Sequence, residues 1–230
     1  MDAVPAARGL SVHRLAWQVE YRHGSAAAHH RRSVPDSPKR AVWVHTVDDP
    51  ALVLGSAQDD GIVDRGLAAS WGIDIVRRRS GGGAVLVVPD DVAWLDVIVP
   101  AADPLWSDDV SRSGIWLGEV WRSVLAELGF AGAMVHRRAL ACGPLGRMVC
   151  FGVVGQGEVT VDGRKVVGVS QRRNRSSARF QCIVYREWRP NDLASLLGLD
   201  EGALTYLQHA AAGTDAAPDD VVAAFLGHLP

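Results

Sequence analysis

The residues best suited to chemistry stand in one arginine- and glycine-rich stretch, RRRSGGGAV at positions 77–85. Glycine lets other groups approach the main chain closely, and guanidinium groups beside free backbone N–H groups suit a phosphate or an activated acyl group. The β-branched runs at 73–76 and 85–88 predict a turn that links two strands. The alternative is a charged loop that closes a hairpin and binds nothing.

Lys165 is the second candidate. Of the 24 basic residues only two are lysines, so a position that keeps lysine indicates a need for a compact, strongly hydrated ammonium. Lys165 follows Asp162-Gly163, a strong signal for a two-residue hairpin turn, and residues 164–170 are the predicted return strand. Simple alternation puts Lys165 on one face with Val167 and Val169, directed toward the interior or a cleft.

The cysteines Cys142, Cys150 and Cys182 are odd in number and lack Cys-x-x-Cys spacing. This pattern favours neither a disulfide framework nor a structural zinc site, and we expect no permanently bound metal. Cys150 lies between a valine and a phenylalanine, which is typical of a small buried hydrophobe. The same thiol could instead accept an acyl group as a thioester.

The elements that must position these residues are mostly strands. The first forty residues predict a short helix and a loop, in which His29 and His30 are solvated. A hairpin is predicted from 84–88 and 92–99. The other predicted strands are 41–44, 51–54, 73–76, 148–154, 158–161 and 180–185, and the predicted helices are 61–71, 108–128 with Ser107 as N-cap, and parts of the tail after 190. Without regular βαβ alternation, this order favours an α+β fold with a central mixed or antiparallel sheet and segregated helices.

Composition narrows the class of protein. The chain has 230 residues, 48% of them hydrophobic, and a formal net charge of −2, which favours neither nucleic-acid binding nor a membrane partner. No apolar run is long enough to span a bilayer and no signal-peptide pattern opens the chain, so we expect a cytoplasmic protein. We expect a weakly patterned segment at 1–40, a catalytic domain at 41–187 and a helical tail at 188–230.

Several stretches in this order resemble lipoate-protein ligase A and its relatives. The 77–85 stretch resembles the lipoate-binding loop, and GSAQ at 55–58 resembles the Gly-x-x-Gln before it. DGRKVVGVSQR at 162–172 is similar to the family's lysine motif. Val149-Cys150-Phe151 is similar to the nucleophile segment of the octanoyltransferase and amidotransferase branches, with the same interval of 15 residues to the lysine. The resemblance implies the biotin/lipoyl protein ligase catalytic fold.

The resemblance also implies roles for individual residues. Lys165 would hold the oxygens of an acyl-adenylate or the carbonyl of an acyl thioester, and Cys150 would be the nucleophile of the thioester route. The remaining positions would bind the substrate: Gln58, Arg78, Ser80, Gly81, Gly82, Gly83, Ala84, Gly168 and Ser170.

The implied function is protein lipoylation. A lipoyl or octanoyl group would pass to the acceptor lysine of a lipoyl domain, in a 2-oxoacid dehydrogenase subunit or a glycine-cleavage H-type protein. The triple glycine favours a ligase-like enzyme that uses ATP with Mg²⁺ and lipoate to form lipoyl-AMP, and this is our first interpretation; the alternative is a Cys150-dependent transferase. Cys150 and a tail too short for a full ligase accessory domain favour a transferase that takes a thioester from an acyl carrier protein.

Two departures from the family pattern leave a third hypothesis open. The His-Asp that follows the glycine motif in the family is replaced by Val87-Val88-Pro89-Asp90. The His-Gly on the strand after the lysine is replaced by Gln181-Cys182. A non-catalytic module that binds an acyl group or a nucleotide therefore stays an alternative.

Overall fold

The computed structural model describes residues 16–140 and 143–230. The prediction for Cys142 and the signal-peptide prediction fall outside these residues. In the described part of the chain, each helix is too short or too polar to cross a membrane.

Ten strands and six α-helices make up the described chain. The strands are β1 Gln18–Gly24, β2 Ala41–Val47, β3 Ala51–Leu54, β4 Asp74–Arg77, β5 Val85–Val87, β6 Val92–Pro100, β7 Met134–Val135, β8 Val159–Val161, β9 Arg164–Arg173 and β10 Ser177–Tyr185. The helices are α1 Ala26–Arg31, α2 Arg65–Ser70, α3 Ile115–Glu127, α4 Pro190–Leu196, α5 Glu201–Ala210 and α6 Pro218–His228, with 3-10 turns at Asp60–Ile62 and Cys150–Gly152.

The strands form a large and a small sheet. The large sheet has the order β1-β2-β6-β10-β9-β8-β7 and is antiparallel except for the parallel pair β1–β2. The small sheet has the order β4-β3-β5. This arrangement confirms the predicted α+β fold with a central mixed sheet. The hairpin predicted from 84–88 and 92–99 is wrong, because β5 and β6 belong to different sheets.

Two apolar cores lie on opposite faces of the large sheet. Helices α3 and α6 cover one face and bury Trp121 and Phe225 against it. The small sheet, α4 and α5 cover the other face around Phe151. The glycine-rich stretch connects β4 to β5, which flank β3 on either side, and this second core therefore holds the candidate residues.

Three boundaries differ from the sequence prediction. Helix α3 begins at Ile115, because residues 107–114 form turns in which Asp109 Oδ1 accepts from the backbone N–H of Ser111. The helix predicted at 61–71 is a 3-10 turn followed by the short α2, which Asp64 caps. The first forty residues contain α1 as expected, but also strand β1, which pairs with β2.

An irregularity in β9 decides which way Lys165 faces. Val159 pairs with Val167 while Thr160 pairs with Lys165, so one extra residue lies between these positions of β9. A β-bulge of this kind shifts the alternation of side chains by one position. Val167 accordingly lies in the core under α3, whereas the Lys165 ammonium lies 4.8 Å from the ring of Phe151 in the opposite core. The predicted inward orientation of Lys165 is confirmed, but its shared face with Val167 is wrong.

A buried charge network fixes α1 on the sheet. Arg179 Nε donates to Asp96 Oδ2 at 2.9 Å, and His45 Nε2 lies 2.7 Å from the same oxygen. The Arg179 guanidinium also donates to the carbonyls of His29 and Arg32 at the end of α1. Burial raises the pKa of Asp96, but His45 and Arg179 outweigh it and hold that pKa well below its usual range.

Substitution Asp96→Asn is expected to lower the free energy of unfolding by about 3–5 kcal/mol, because it leaves the buried Arg179 charge without its carboxylate. Urea unfolding at pH 7 measures the change. The matched control is Glu119→Gln, which removes a half-exposed partner of Arg122 and should cost less than about 1 kcal/mol. Equal losses in the two variants would contradict the role given to Asp96.

Candidate active site

The glycine-rich loop touches neighbouring backbone so closely that side chains are excluded at specific positions. A Cβ on Gly83 would lie 2.5 Å from the carbonyl carbon of Val149 and 2.6 Å from the nitrogen of Cys150. A Cβ on Gly55 would lie 1.9 Å from the Gly82 oxygen, and Gly82 has φ +99°. These contacts press the loop against the segment that carries Cys150.

Gln58 and Arg78 hold this loop in place. The Gln58 side chain accepts from Gly55 N–H at 2.8 Å and donates to the carbonyls of Arg147 and Met148 at 2.9 and 3.1 Å. Each hydrogen bond that the buried Arg78 guanidinium makes within the described chain goes to a backbone carbonyl, and three of them go to the glycine loop. Both side chains therefore shape the loop, and Arg78 also lines a cavity beside it.

Cys150 begins a 3-10 turn, so the strand predicted at 148–154 is wrong. The cause is the glycine loop alongside it: Ala84 N–H donates to Met148 O at 2.8 Å and Cys150 N–H donates to Ala84 O at 3.0 Å, which forms a single bridge. Tyr206 on α5 donates to the carbonyl of Gly152 at 2.7 Å from the other side. The turn presents Cys150 half-buried beside the glycines.

The buried Lys165 ammonium has three polar partners. It donates to the carbonyls of Cys150 and Val153 at 2.9 and 3.1 Å, and it forms an ion pair of 2.7 Å with Glu158 Oε2. Glu158 was not identified from the sequence, where it reads as the ordinary start of a strand. Lys165 therefore binds the main chain of the Cys150 turn and brings a positive charge to it.

Two cavities meet at Cys150. The first encloses about 420 Å³ including its mouth, and most of its surface is apolar. Its aliphatic and aromatic walls are Val53, Val85, Val87, Trp94, Val169 and Ile183. The second, of about 620 Å³, is lined by the glycine loop, Lys165 and Glu158. Cys150, Val169 and Ser170 line both, so Cys150 lies between an apolar cavity and a polar cleft.

Gly168, Ser170 and Ser80 lie at this junction. A Cβ on Gly168 would lie 2.8 Å from the Phe151 ring, so the lack of a side chain here lets this ring pack beside Cys150. Gly168 also lines the apolar cavity. Ser80 Oγ and Ser170 Oγ are 3.2 Å apart and join the glycine loop to β9. All eleven residues named from the sequence therefore lie in or directly around one site.

The inner part of the apolar cavity contains a residue that the sequence prediction placed in solvent. His29 and His30 are both buried, and the His30 ring packs on Trp94 at 4.7 Å between centroids. His30 lines the cavity beside Gln181, whose amide lies 3.4 Å from His30 Nδ1. Burial lowers the pKa of His30 to about 3, so its ring is neutral at pH 7. Only the packing of α1 on the sheet reveals this residue.

Comparisons with known proteins identify the family of this chain. The family model of the lipoyl protein ligase A/B catalytic domain matches residues 25–206. Octanoyltransferase LipM of Kyrpidia tusciae is 32% identical over 154 residues, which are 64% of this chain and 53% of that protein. The chain thus spans about half the length of this curated relative.

Solved structures show the same fold. A lipoate-protein ligase A bound with ATP superposes with a TM-score of 0.72 at 16% identity, over 92% of this chain and 83% of that one. An archaeal bi-partite lipoate protein ligase from Thermoplasma acidophilum, described with its E2 lipoyl domain, gives 0.65 at 17% identity, over 92% and 82%. The chain belongs to the family of lipoyl protein ligase A/B catalytic domains, which confirms the resemblance seen in the sequence.

The glycine contacts predict that alanine substitutions at positions 83 and 81 differ in their effect on stability. Gly83→Ala should lower the free energy of unfolding by about 1–3 kcal/mol, because its methyl group meets fixed backbone at Val149 and Cys150. Gly81→Ala should change it by less than about 0.5 kcal/mol, because no atom lies within 4 Å of the added carbon. Urea unfolding of both variants tests the close approach, and a stable Gly83→Ala protein would refute it.

The buried His30 predicts a pH dependence. Its folded pKa lies below the unfolded value of 6.5, so the stability it contributes is complete above pH 6.5 and falls as the pH drops toward 3. The loss should reach about 3 kcal/mol at pH 4. Urea unfolding at pH 7, 5.5 and 4 should show that the free energy of unfolding falls less with decreasing pH for His30→Gln than for the wild type. His23→Gln, at an exposed position, is the control, and identical profiles for His30→Gln and wild type would show that His30 is solvated.

Proposed function

We propose that this chain transfers a lipoyl or octanoyl group from a thioester donor to the acceptor lysine of a lipoyl domain, with Cys150 as the covalent carrier. The observation that carries the proposal is the position of Cys150 between the apolar cavity and the polar cleft. An acyl chain in the cavity would place its carbonyl carbon at the thiol. The identity with an octanoyltransferase over most of this chain supports the same chemistry.

The first step is an exchange of thioesters. The sulfur of Cys150 attacks the donor carbonyl, a new C–S bond forms, and the C–S bond to the donor breaks. The proton lost by Cys150 leaves with the donor thiol, so the step needs no oxidant and no nucleotide. The oxyanion formed in this step lies close to the Lys165 ammonium, whose charge acts in a site largely closed to water.

In the second step the amine of the acceptor lysine attacks the acyl-Cys150 carbonyl. A C–N bond forms, the C–S bond breaks, and the proton released by the amine returns to the sulfur of Cys150. Lys165 can contact the reacting oxygen only by exchanging one of its three present partners. The main-chain carbonyls are the partners it can release, because loss of Glu158 would leave a buried carboxylate unpaired.

The acceptor lysine would enter through the polar cleft, because the acyl chain of the proposed intermediate occupies the apolar cavity. A lipoyl domain fits this requirement, and an archaeal relative of this fold has been studied together with its E2 lipoyl domain. Lipoyl domains of 2-oxoacid dehydrogenase subunits and glycine-cleavage H-type proteins are the two acceptors to test. Acyl carrier protein is the matching donor.

The second candidate function is ATP-dependent ligation through lipoyl-AMP. The triple glycine favours it, since Gly81, Gly82 and Gly83 line the same cleft as Lys165 and could receive an adenylate. Among the described residues that line this cleft, Glu158 is the one carboxylate, and Lys165 already pairs with it. A Mg²⁺ ion would therefore have to be held by the phosphates of the nucleotide itself.

Incubation with octanoyl-acyl carrier protein, without ATP, should increase the mass of the protein by one octanoyl group. The adduct should be absent in Cys150→Ser and present in Cys182→Ala. Cys182 is a suitable control because burial raises the pKa of its thiol to about 12, which keeps it protonated. Intact-protein mass spectrometry measures the adduct, and its chase onto a lipoyl domain measures the second step.

Three outcomes separate the hypotheses. Acyl transfer that proceeds without ATP and needs Cys150 supports the thioester route. Transfer that needs ATP and free lipoate, and persists in Cys150→Ser, supports the ligase. Failure of both reactions, together with thermal stabilisation by lipoate or octanoate, supports a non-catalytic acyl-binding module.

A further inference from the structure

A second polar cleft of about 480 Å³ lies beyond the end of the glycine loop, and we call it the arginine cleft. It is lined by Arg32, Arg79, Arg172, Arg173 and Arg179, together with Ser33, Val34, Asn174 and Ser177. The described lining contains no carboxylate. Such a concentration of guanidinium groups is unusual in a chain whose net charge is −2.

Only some of these charges are neutralised by the protein. Arg179 pairs with Asp96, and Arg32 lies 3.4 Å from Glu20. Arg79, Arg172 and Arg173 form no ion pair among the described residues. Three positive charges therefore face one cleft without a protein anion, which favours a ligand that carries negative charge.

Two arginines of the cleft are partly enclosed by the protein. Arg173 Nη1 and Arg32 Nε are buried atoms without a hydrogen-bond partner in the described chain. Arg173 is held in place because its guanidinium carbon lies 3.9 Å from the centroid of the Trp106 ring. The enclosed donors are not open to the cleft, so an anion would be bound by the remaining N–H groups of a guanidinium that is already fixed in place.

Strand β9 relates the arginine cleft to Cys150. Gly168 lines the apolar cavity with Cys150, and Arg172 lies four residues further along the strand in the arginine cleft. At the rise of an extended strand this separates the two positions by about 13 Å. Ser170 lies between Gly168 and Arg172 on β9 and lines the polar cleft. Strand β9 therefore runs from the Cys150 site to the arginine cleft.

This separation favours a phosphate that is remote from the acyl carbonyl. In an acyl-adenylate the phosphate is bonded directly to the acyl carbonyl, so it must lie at the reacting carbon and not in the arginine cleft. In a phosphopantetheine thioester the phosphate lies at the far end of a long flexible arm. We infer that the arginine cleft binds the phosphate of a phosphopantetheine-type acyl donor, an inference that rests on the proposed thioester route.

Kinetics of Cys150 acylation test this inference. Octanoyl-4′-phosphopantetheine should acylate the wild-type protein at a half-saturating concentration at least about tenfold below that of octanoyl-pantetheine, which lacks the phosphate. In the double variant Arg172→Gln/Arg173→Gln, the ratio of the two half-saturating concentrations should be close to one. Arg122→Gln on α3, on the other side of the sheet, should keep the wild-type ratio. Octanoyl-coenzyme A and octanoyl-acyl carrier protein, run in parallel, identify the donor that carries the phosphate in the reaction.

Binding measured without turnover separates this inference from the proposed function. Calorimetry with Cys150→Ser protein should show 4′-phosphopantetheine binding that weakens at least about tenfold in the arginine double variant, while thermal unfolding shows that the variant is folded. Equal binding of inorganic phosphate or AMP, with the same sensitivity to the arginines, would overturn the assignment to phosphopantetheine. Equal half-saturating concentrations of octanoyl-pantetheine and octanoyl-4′-phosphopantetheine in the wild type would overturn the phosphate site. Acylation of Cys150 by both donors would in that case still support the thioester route.

Discussion

The site depends on one buried ion pair, that of Lys165 with Glu158. Two opposite charges in a nearly dry interior are tolerated only when their remaining donors and acceptors are satisfied. Here Lys165 also donates to two carbonyls of the Cys150 turn, and Glu158 accepts from the backbone N–H groups of Val169 and Gly155. The pair therefore joins β9 to the segment that carries the thiol, and the same contacts fix the positions of the Cys150 thiol and the Lys165 ammonium.

The glycine loop gives this arrangement its rigidity from the opposite side. Gly83 lies against the backbone of Val149 and Cys150 at distances that no side chain would allow. Gln58 connects Gly55, which lies against Gly82, to residues 147–148, and Tyr206 on α5 donates to the Gly152 carbonyl of the turn. The proposed role of Cys150 as a covalent carrier would need such support, because attack on a carbonyl requires a thiol held within a fraction of an ångström.

The other end of the apolar cavity is shaped by a different kind of contact. Arg179 and Asp96 hold the end of α1 on the sheet, and this places His30 over Trp94. A neutral imidazole beside the Gln181 amide gives the cavity a polar edge in an otherwise aliphatic and aromatic lining. The two positions at which the resemblance predicts a histidine hold other residues in this chain. A different histidine, His30 on α1, lines the cavity instead.

The sequence by itself determined the family and the fold class, and it named eleven candidate residues that the fold brings together, because these inferences depend on local patterns: the glycine run, the Asp162-Gly163 turn and the interval between Cys150 and Lys165. The hairpin signal was reliable because Asp162 and Gly163 adopt the left-handed conformation that such a turn requires.

Tertiary structure alone decided the rest. The bulge in β9 directs Lys165 and Val167 to opposite faces of the sheet. The alternation of residue types in β9 cannot reveal this bulge, because it exists only in the pairing of β9 with β8. The Cys150 turn replaces a predicted strand because Ala84, remote in sequence, takes its hydrogen bonds. Glu158, His30 and the arginine cleft likewise arise from contacts between distant segments, which the order of residues along the chain does not record.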